Sequence, residues 1–168
     1  FAPFLDIVEE IAKHDVWLDL HIEPIDPDGV SHEDWAFGGL QLLLDRNPTL
    51  KVILSHTAMT NPNNARRILE TFPNVIMSIK PMIPTNSWLN LEPVLNSKSE
   101  LYEDWASLFE EMPDRFVVGP DAKFMRTGYS LDEYGIIIGM VRLMLGDLSP
   151  ETAQKIAYEK GRQMFPAQ

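Results

Sequence analysis

Apolar residues along this chain recur in two rhythms that take turns. Over 3–14, PFLDIVEEIAKH, residues Phe4, Ile7, Val8 and Ile11 fall three and four apart, which predicts an amphipathic helix. A denser apolar run follows, VWLDLHIEP at 16–24, and predicts a strand over 16–22. SHEDWAFGGLQLLLDRNP then reads as a helix opened by Ser31 and Asp34 in capping-box spacing and stopped at Asn47-Pro48. The alternation continues with a strand over 51–56. A helix follows, capped by Asn61 with Pro62 at its first position and closed by Pro73, and then a third strand, NVIMSI, at 74–79.

Segment 81–99 breaks the rhythm: it holds several Pro and Asn residues and no periodicity, and it predicts a long loop of the lid or binding type. ELYEDWASLFEEMPD predicts a helix and RFVVG, at 115–119, a fourth strand. Two closing helices are expected, one capped by Ser130 with Glu133, the other by Ser149 with Pro150. None of the strands alternates polar with apolar as a half-solvated antiparallel strand does. Continuous apolar strands separated by helices of 10–15 residues imply βα units and a parallel sheet covered on both sides. The expectation is one α/β domain over 1–168 without internal repeat or linker.

Composition changes this picture little. Apolar residues make up 45% and charged residues 23%, as in an ordinary packed domain. The net charge of −11 argues against nucleic acid as a partner. No apolar run approaches the roughly 18 residues of a membrane span, so no membrane partner is expected. The chain has no cysteine, which removes disulfides, thiolate metal sites and a cysteine nucleophile. The compartment stays undetermined, with the cytoplasm favoured.

The candidate chemistry lies at the strand ends. In parallel α/β folds reactive groups gather where strands give way to βα loops. His21, His56 and Asp121 close three of the apolar runs, and Lys80 closes the fourth. If His21 faces inward, the two-residue period of a strand puts Asp19 and Glu23 on the same side. Imidazole and carboxylate are ligands of zinc-like ions and also serve as general bases. A lone strand-end histidine is commonly a hydrogen-bonded structural residue; three such groups on three strands at one end outweigh that reading. His14 and His32 fall in helix or cap positions and are read as structural. Lys80, with Lys123 and Arg126 in the loop after Asp121, could meet an anionic substrate or face water, and Trp88 could belong to a lid or to loop packing. No H-x-H, H-x-x-E-H or H-E-x-x-H pair is present to anchor a metal.

The order of DLHIE, VILSHTA with its following helix and FPNVIMSI, then DRFVVGPDA and a final helical pair, resembles the second half of the amidohydrolase superfamily. It is most similar to the amidohydrolase-related branch of metal-dependent hydrolases and decarboxylases. The resemblance implies the C-terminal half, strands five to eight, of a TIM (β/α)₈ barrel. It makes His21 a metal ligand, His56 a catalytic residue, and Asp121 both a metal ligand and the handler of the proton of the attacking water. Lys80 would end the seventh strand. Where the family usually has G-S-D this sequence has Gly119-Pro120-Asp121, and its closing N-A-x-R-L-F segment appears as residues 160–165, KGRQMF.

The barrel half carrying the H-x-H ligands would be missing. A chain that opens on Phe1 is then expected to be part of a longer enzyme. The implied activity is metal-dependent hydrolysis of a C–N or C–O bond, or a related decarboxylation, on a small organic substrate, with a divalent ion, foremost zinc; the hint that the substrate is anionic comes from Lys80, Lys123 and Arg126. The alternatives are a metal-free lactonase of the same fold and a non-catalytic half barrel. Open sheet edges imply a partner, either a second copy or the missing half.

Overall fold

A computed structural model describes residues 2–26, 28–81, 93–121 and 131–166. Helix α1 is Ala2–Ile11, strand β1 Trp17–Leu20, α2 Glu33–Arg46, β2 Lys51–Leu54, α3 Pro62–Thr71, β3 Val75–Ile79, α4 Glu103–Glu111 and β4 Phe116–Val118. Helix α5 is Leu131–Gly146; α6, Pro150–Gln154, runs through a π-helical turn into α7, Lys160–Met164. The strands form one sheet in the order β1-β2-β3-β4, every pair parallel. Leu18 faces Val52, Leu54 faces Met77, and Ile79 faces Val118 across the ladder.

The expected alternation is present, with shifted ends. The strand expected over 16–22 spans only Trp17–Leu20, and the one expected over 51–56 stops at Leu54, where the chain enters a tight turn at Ser55–Met59. Ser31 does not cap α2: the helix begins two residues later, at Glu33, and the Ser31 hydroxyl bonds the Glu33 carboxylate and backbone N–H instead. Asn61 caps α3 as its sequence predicts, its side chain accepting from the Asn64 N–H, and Ser149 caps α6 by accepting from Thr152 N–H. The loop expected over 81–99 lies largely outside the described residues, as do the Ser130 cap, Trp88, Lys123 and Arg126.

Two faces of the sheet do different work. Val52, Leu54, Val75, Met77, Ile79 and Phe116 belong to the main core, shared with Leu40, Leu43 and Leu44 of α2, Ala65 and Leu69 of α3, and Trp105, Leu108 and Phe109 of α4. Phe109 meets Phe116 edge-on, ring centroids 4.7 Å apart. Strand residues alternate between faces, so Trp17, Ile53, Ile76 and Val117 point the other way. They form a second, small cluster closed by Met164 of α7. The C-terminal helical run thus passes the β4 edge, with Ile156 buried in the main core and Met164 in the small cluster.

Below the site, Arg115 ties α3 to β3. Its guanidinium donates to the carbonyls of Leu69, Phe72 and Val75 at 2.5–3.0 Å. The Leu69 carbonyl is one of the last four of α3, which have no intrahelical donor, and the Phe72 carbonyl also accepts the Val75 N–H.

Candidate active site

Counting along the second face in steps of two stacks the strand residues into layers. Trp17, Ile53, Ile76 and Val117 form an apolar floor. The next positions are Asp19, Ser55, Ser78 and Gly119, and the Ser55 hydroxyl donates to Asp19 Oδ1 at 2.6 Å. Above them come His21, Lys80 and Asp121, joined by His56. The three strand ends and the turn after β2 therefore deliver the four expected residues to one end of one sheet face.

The contacts within this group are specific. Lys80 Nζ lies 2.9 Å from Asp121 Oδ2, and His56 Nε2 lies 3.9 Å from the same oxygen. The His21 ring meets His56 edge-on, centroids 5.0 Å apart and planes at 77°. His21 Nε2 is 2.9 Å from Glu23 Oε1, so these two side chains meet on one side of the chain. Exposure grades across the site: His56 is 7% exposed, while the side chains of Asp121, Lys80 and His21 are 20%, 30% and 50% exposed.

His56 arrives by an unusual backbone. His56, Thr57, Ala58 and Met59 all have positive φ, 57°, 54°, 55° and 49°. Four consecutive non-glycine residues in the left-handed region cost on the order of 1–2 kcal/mol each. Such strain persists only where the surroundings over-determine it. Here all four residues are buried, and the His56 N–H donates to Ser78 Oγ at 3.4 Å. Asp121 also sits at positive φ, 53°, a conformation aspartate tolerates.

Burial pulls the His56 imidazole below its ordinary pKa and the Lys80 ammonium adds to this, against the opposing pull of Asp121. The ring is therefore neutral at pH 7. Its Nδ1 is buried without a hydrogen-bond partner among the described residues, which leaves Nε2 as the atom turned towards Asp121.

No group of three His, Asp or Glu side chains is positioned to hold a metal ion among the described residues. The Asp121 carboxylate is met by the Lys80 ammonium, and His21 engages Glu23. His21 and Asp121 do not make a metal centre by themselves. His14 and His32 keep to the surface, pairing with Glu10 and Asp26. An apolar cavity of only about 30 Å³ between α2 and α3, walled by Phe37, Leu40, Leu54 and Ile68, has room for little more than one water.

Sequence reasoning passed over Ser78. It is the one polar residue of VIMSI, and the signal was its position two before Lys80, on the site's face. The left-handed turn was also invisible, since no glycine marks it.

No protein-family model matches the chain, and no curated protein matches it. Among solved structures, an uncharacterised TIM-barrel protein of Bordetella bronchiseptica superposes with a TM-score of 0.54 at 16% identity, over 97% of this chain and 49% of that one. The fold is of TIM-barrel type. This chain spans about half the length of the barrel protein it matches. At 16% identity the likeness concerns architecture and not chemistry.

Proposed function

We propose that this chain forms the carboxyl-end half of an amidohydrolase-like barrel and carries part of the active site of a hydrolase. The substrate is a small carboxylate-bearing molecule cleaved at a C–O or C–N bond; a related decarboxylation would use the same groups. The observation that carries this reading is the meeting of His21, His56, Lys80 and Asp121 at one end of a parallel sheet, where TIM-barrel chemistry is found.

In this reading the substrate carboxylate draws the Lys80 ammonium towards itself and away from Asp121 Oδ2. Asp121 then takes the proton of the attacking water as general base. The neutral His56 donates its Nε2–H to the carbonyl oxygen as negative charge gathers there, the role of a preorganised donor. His21 buttresses the His56 ring. Lys123 and Arg126, two and five residues after Asp121 in the sequence, would add positive charge for the same substrate.

The Lys80–Asp121 pair favours the metal-free, lactonase form of this chemistry, because an ammonium already neutralises the carboxylate. The metal-dependent form, with His21 and Asp121 as two ligands of a zinc-like ion, needs further ligands from beyond the described residues, and no step above runs through an ion. A panel of small carboxylate-bearing lactones and amides, assayed in chelator and again with added zinc, separates the forms. We expect lactone hydrolysis that survives the chelator. Turnover only with zinc would assign the metal-dependent form, and none on any substrate would favour a non-catalytic barrel.

A further inference from the structure

We infer that Ser78 is a positioning residue for the site proposed above, its hydroxyl fixing the left-handed turn that presents His56. Three observations converge on it. Ser78 is 8% exposed and stands in a strand otherwise wholly buried and apolar up to Ile79, where a hydroxyl is kept only for a partner. Its Oγ accepts the His56 N–H, the backbone donor at the start of the left-handed run. Its side chain also fills the space a neighbour gives up: a Cβ built on Gly119 would lie 2.7 Å from Ser78 Cβ and 2.8 Å from Oγ. Gly119 is held in place by its own N–H donating to Ile79 O at 3.0 Å, so the strand cannot back away.

The glycine of β4, the serine of β3 and the turn after β2 thus form one layer beneath the reactive side chains. The hydroxyl is clamped from the β4 side and points to the turn. A serine that only filled space could be replaced by any group of that volume; one that positions His56 could not.

The inference rests on the functional reading for its meaning, but its test does not need turnover. The His56 and His21 rings stand edge-on at 5.0 Å, close enough for a ring-to-ring nuclear Overhauser signal and a ring-current shift. We expect Ser78→Ala to abolish that signal and move the His56 ring resonances, with the protein still folded. A second variant, Ser78→Gly with Gly119→Ser, keeps the volume of the layer and shifts the hydroxyl to β4. It too should fold without showing the Overhauser signal.

Wild-type His56 resonances and an intact Overhauser signal in either folded variant would overturn the inference. Loss of the fold in both would overturn it as well, making Ser78 a packing residue. A protein inactive on every substrate, in which Ser78→Ala still abolishes the ring-to-ring signal, would sink the hydrolase reading and leave the positioning role standing.

Discussion

At the scale of single residues, Gly119 shows how far one missing methyl can constrain a site. Its neighbour Ser78 leaves no room for a Cβ, so Gly119→Ala must push β3 and β4 apart. Overpacking of this kind costs about 1–3 kcal/mol. We expect a drop of that size in urea unfolding, and a variant as stable as the wild type would mean that the layer yields freely. His21 contrasts with it. Half-exposed and hydrogen-bonded to Glu23 two residues on, it can become alanine at a cost within about 0.5 kcal/mol, as surface changes do. Calorimetry of His21→Ala checks this.

His56 sets a pH dependence whose sign follows from its depressed pKa. The unfolded chain takes up a histidine proton near the usual value of about 6.5, whereas the buried ring resists it. Its share of the stability is therefore complete above about pH 6.5 and is lost as the pH falls through that value towards the folded one. Urea midpoints at pH 8 and pH 5.5 should differ more in the wild type than in His56→Gln. Equal differences would remove burial of His56 as the cause.

At the scale of elements, the left-handed turn and α3 invite a paired substitution. Ala58→Gly relieves a positive φ while removing one buried methyl, so the two effects offset and stability should hold or rise slightly. Ala65→Gly, in the right-handed helix α3 and fully buried, gains nothing and should cost about 1 kcal/mol or more. Denaturant titration of the two variants side by side reads the difference. Arg115→Ala should be costlier than either, since it removes donors from the carbonyls of Leu69, Phe72 and Val75, of which Phe72 O keeps the Val75 N–H; a buried acceptor left bare costs about 1–3 kcal/mol. Arg115→Lys should not restore it, because an ammonium lacks the planar fork.

The same elements show what the sequence could reveal. Strand ends carrying His21, Lys80 and Asp121 were legible because a continuous apolar run ending on a polar group survives any uncertainty of register. Asn61-Pro62 and Ser149-Pro150 were legible because caps are local chemistry. Helix α2 starts later than its sequence suggests, since Ser31 and Asp34 imitate a capping box while the helix begins at Glu33. The turn at His56 was illegible: its left-handed backbone is imposed by burial and by Ser78, both contributed by residues distant in sequence. The Lys80–Asp121 pair joins residues 41 apart, and no local pattern predicts that the ammonium would meet this carboxylate.

At the scale of the molecule, the four strands end in β1 and β4, which pair with no further strand among the described residues. The C-terminal run passes β4, but at β1 the second face leaves Asp19 and His21 exposed and Trp17 half-buried. Unpaired parallel edges invite another chain. We expect a particle of twice 19.2 kDa or larger by light scattering; a well-behaved 19.2 kDa monomer would argue against the half barrel we propose. Among the described residues no helix is long and apolar enough to cross a membrane.

The central claim is that the groups meeting at Asp121 form one proton-transferring site. The measurement that tests it most directly is the rate of Asp121→Asn beside the wild type on whichever carboxylate-bearing lactone or amide the protein turns over. Asparagine keeps the shape and the reach to Lys80 but cannot accept the proton. The rate should fall by about 10²–10⁴-fold, the usual contribution of a general base, with the fold intact. An Asp121→Asn protein as fast as the wild type would contradict the claim.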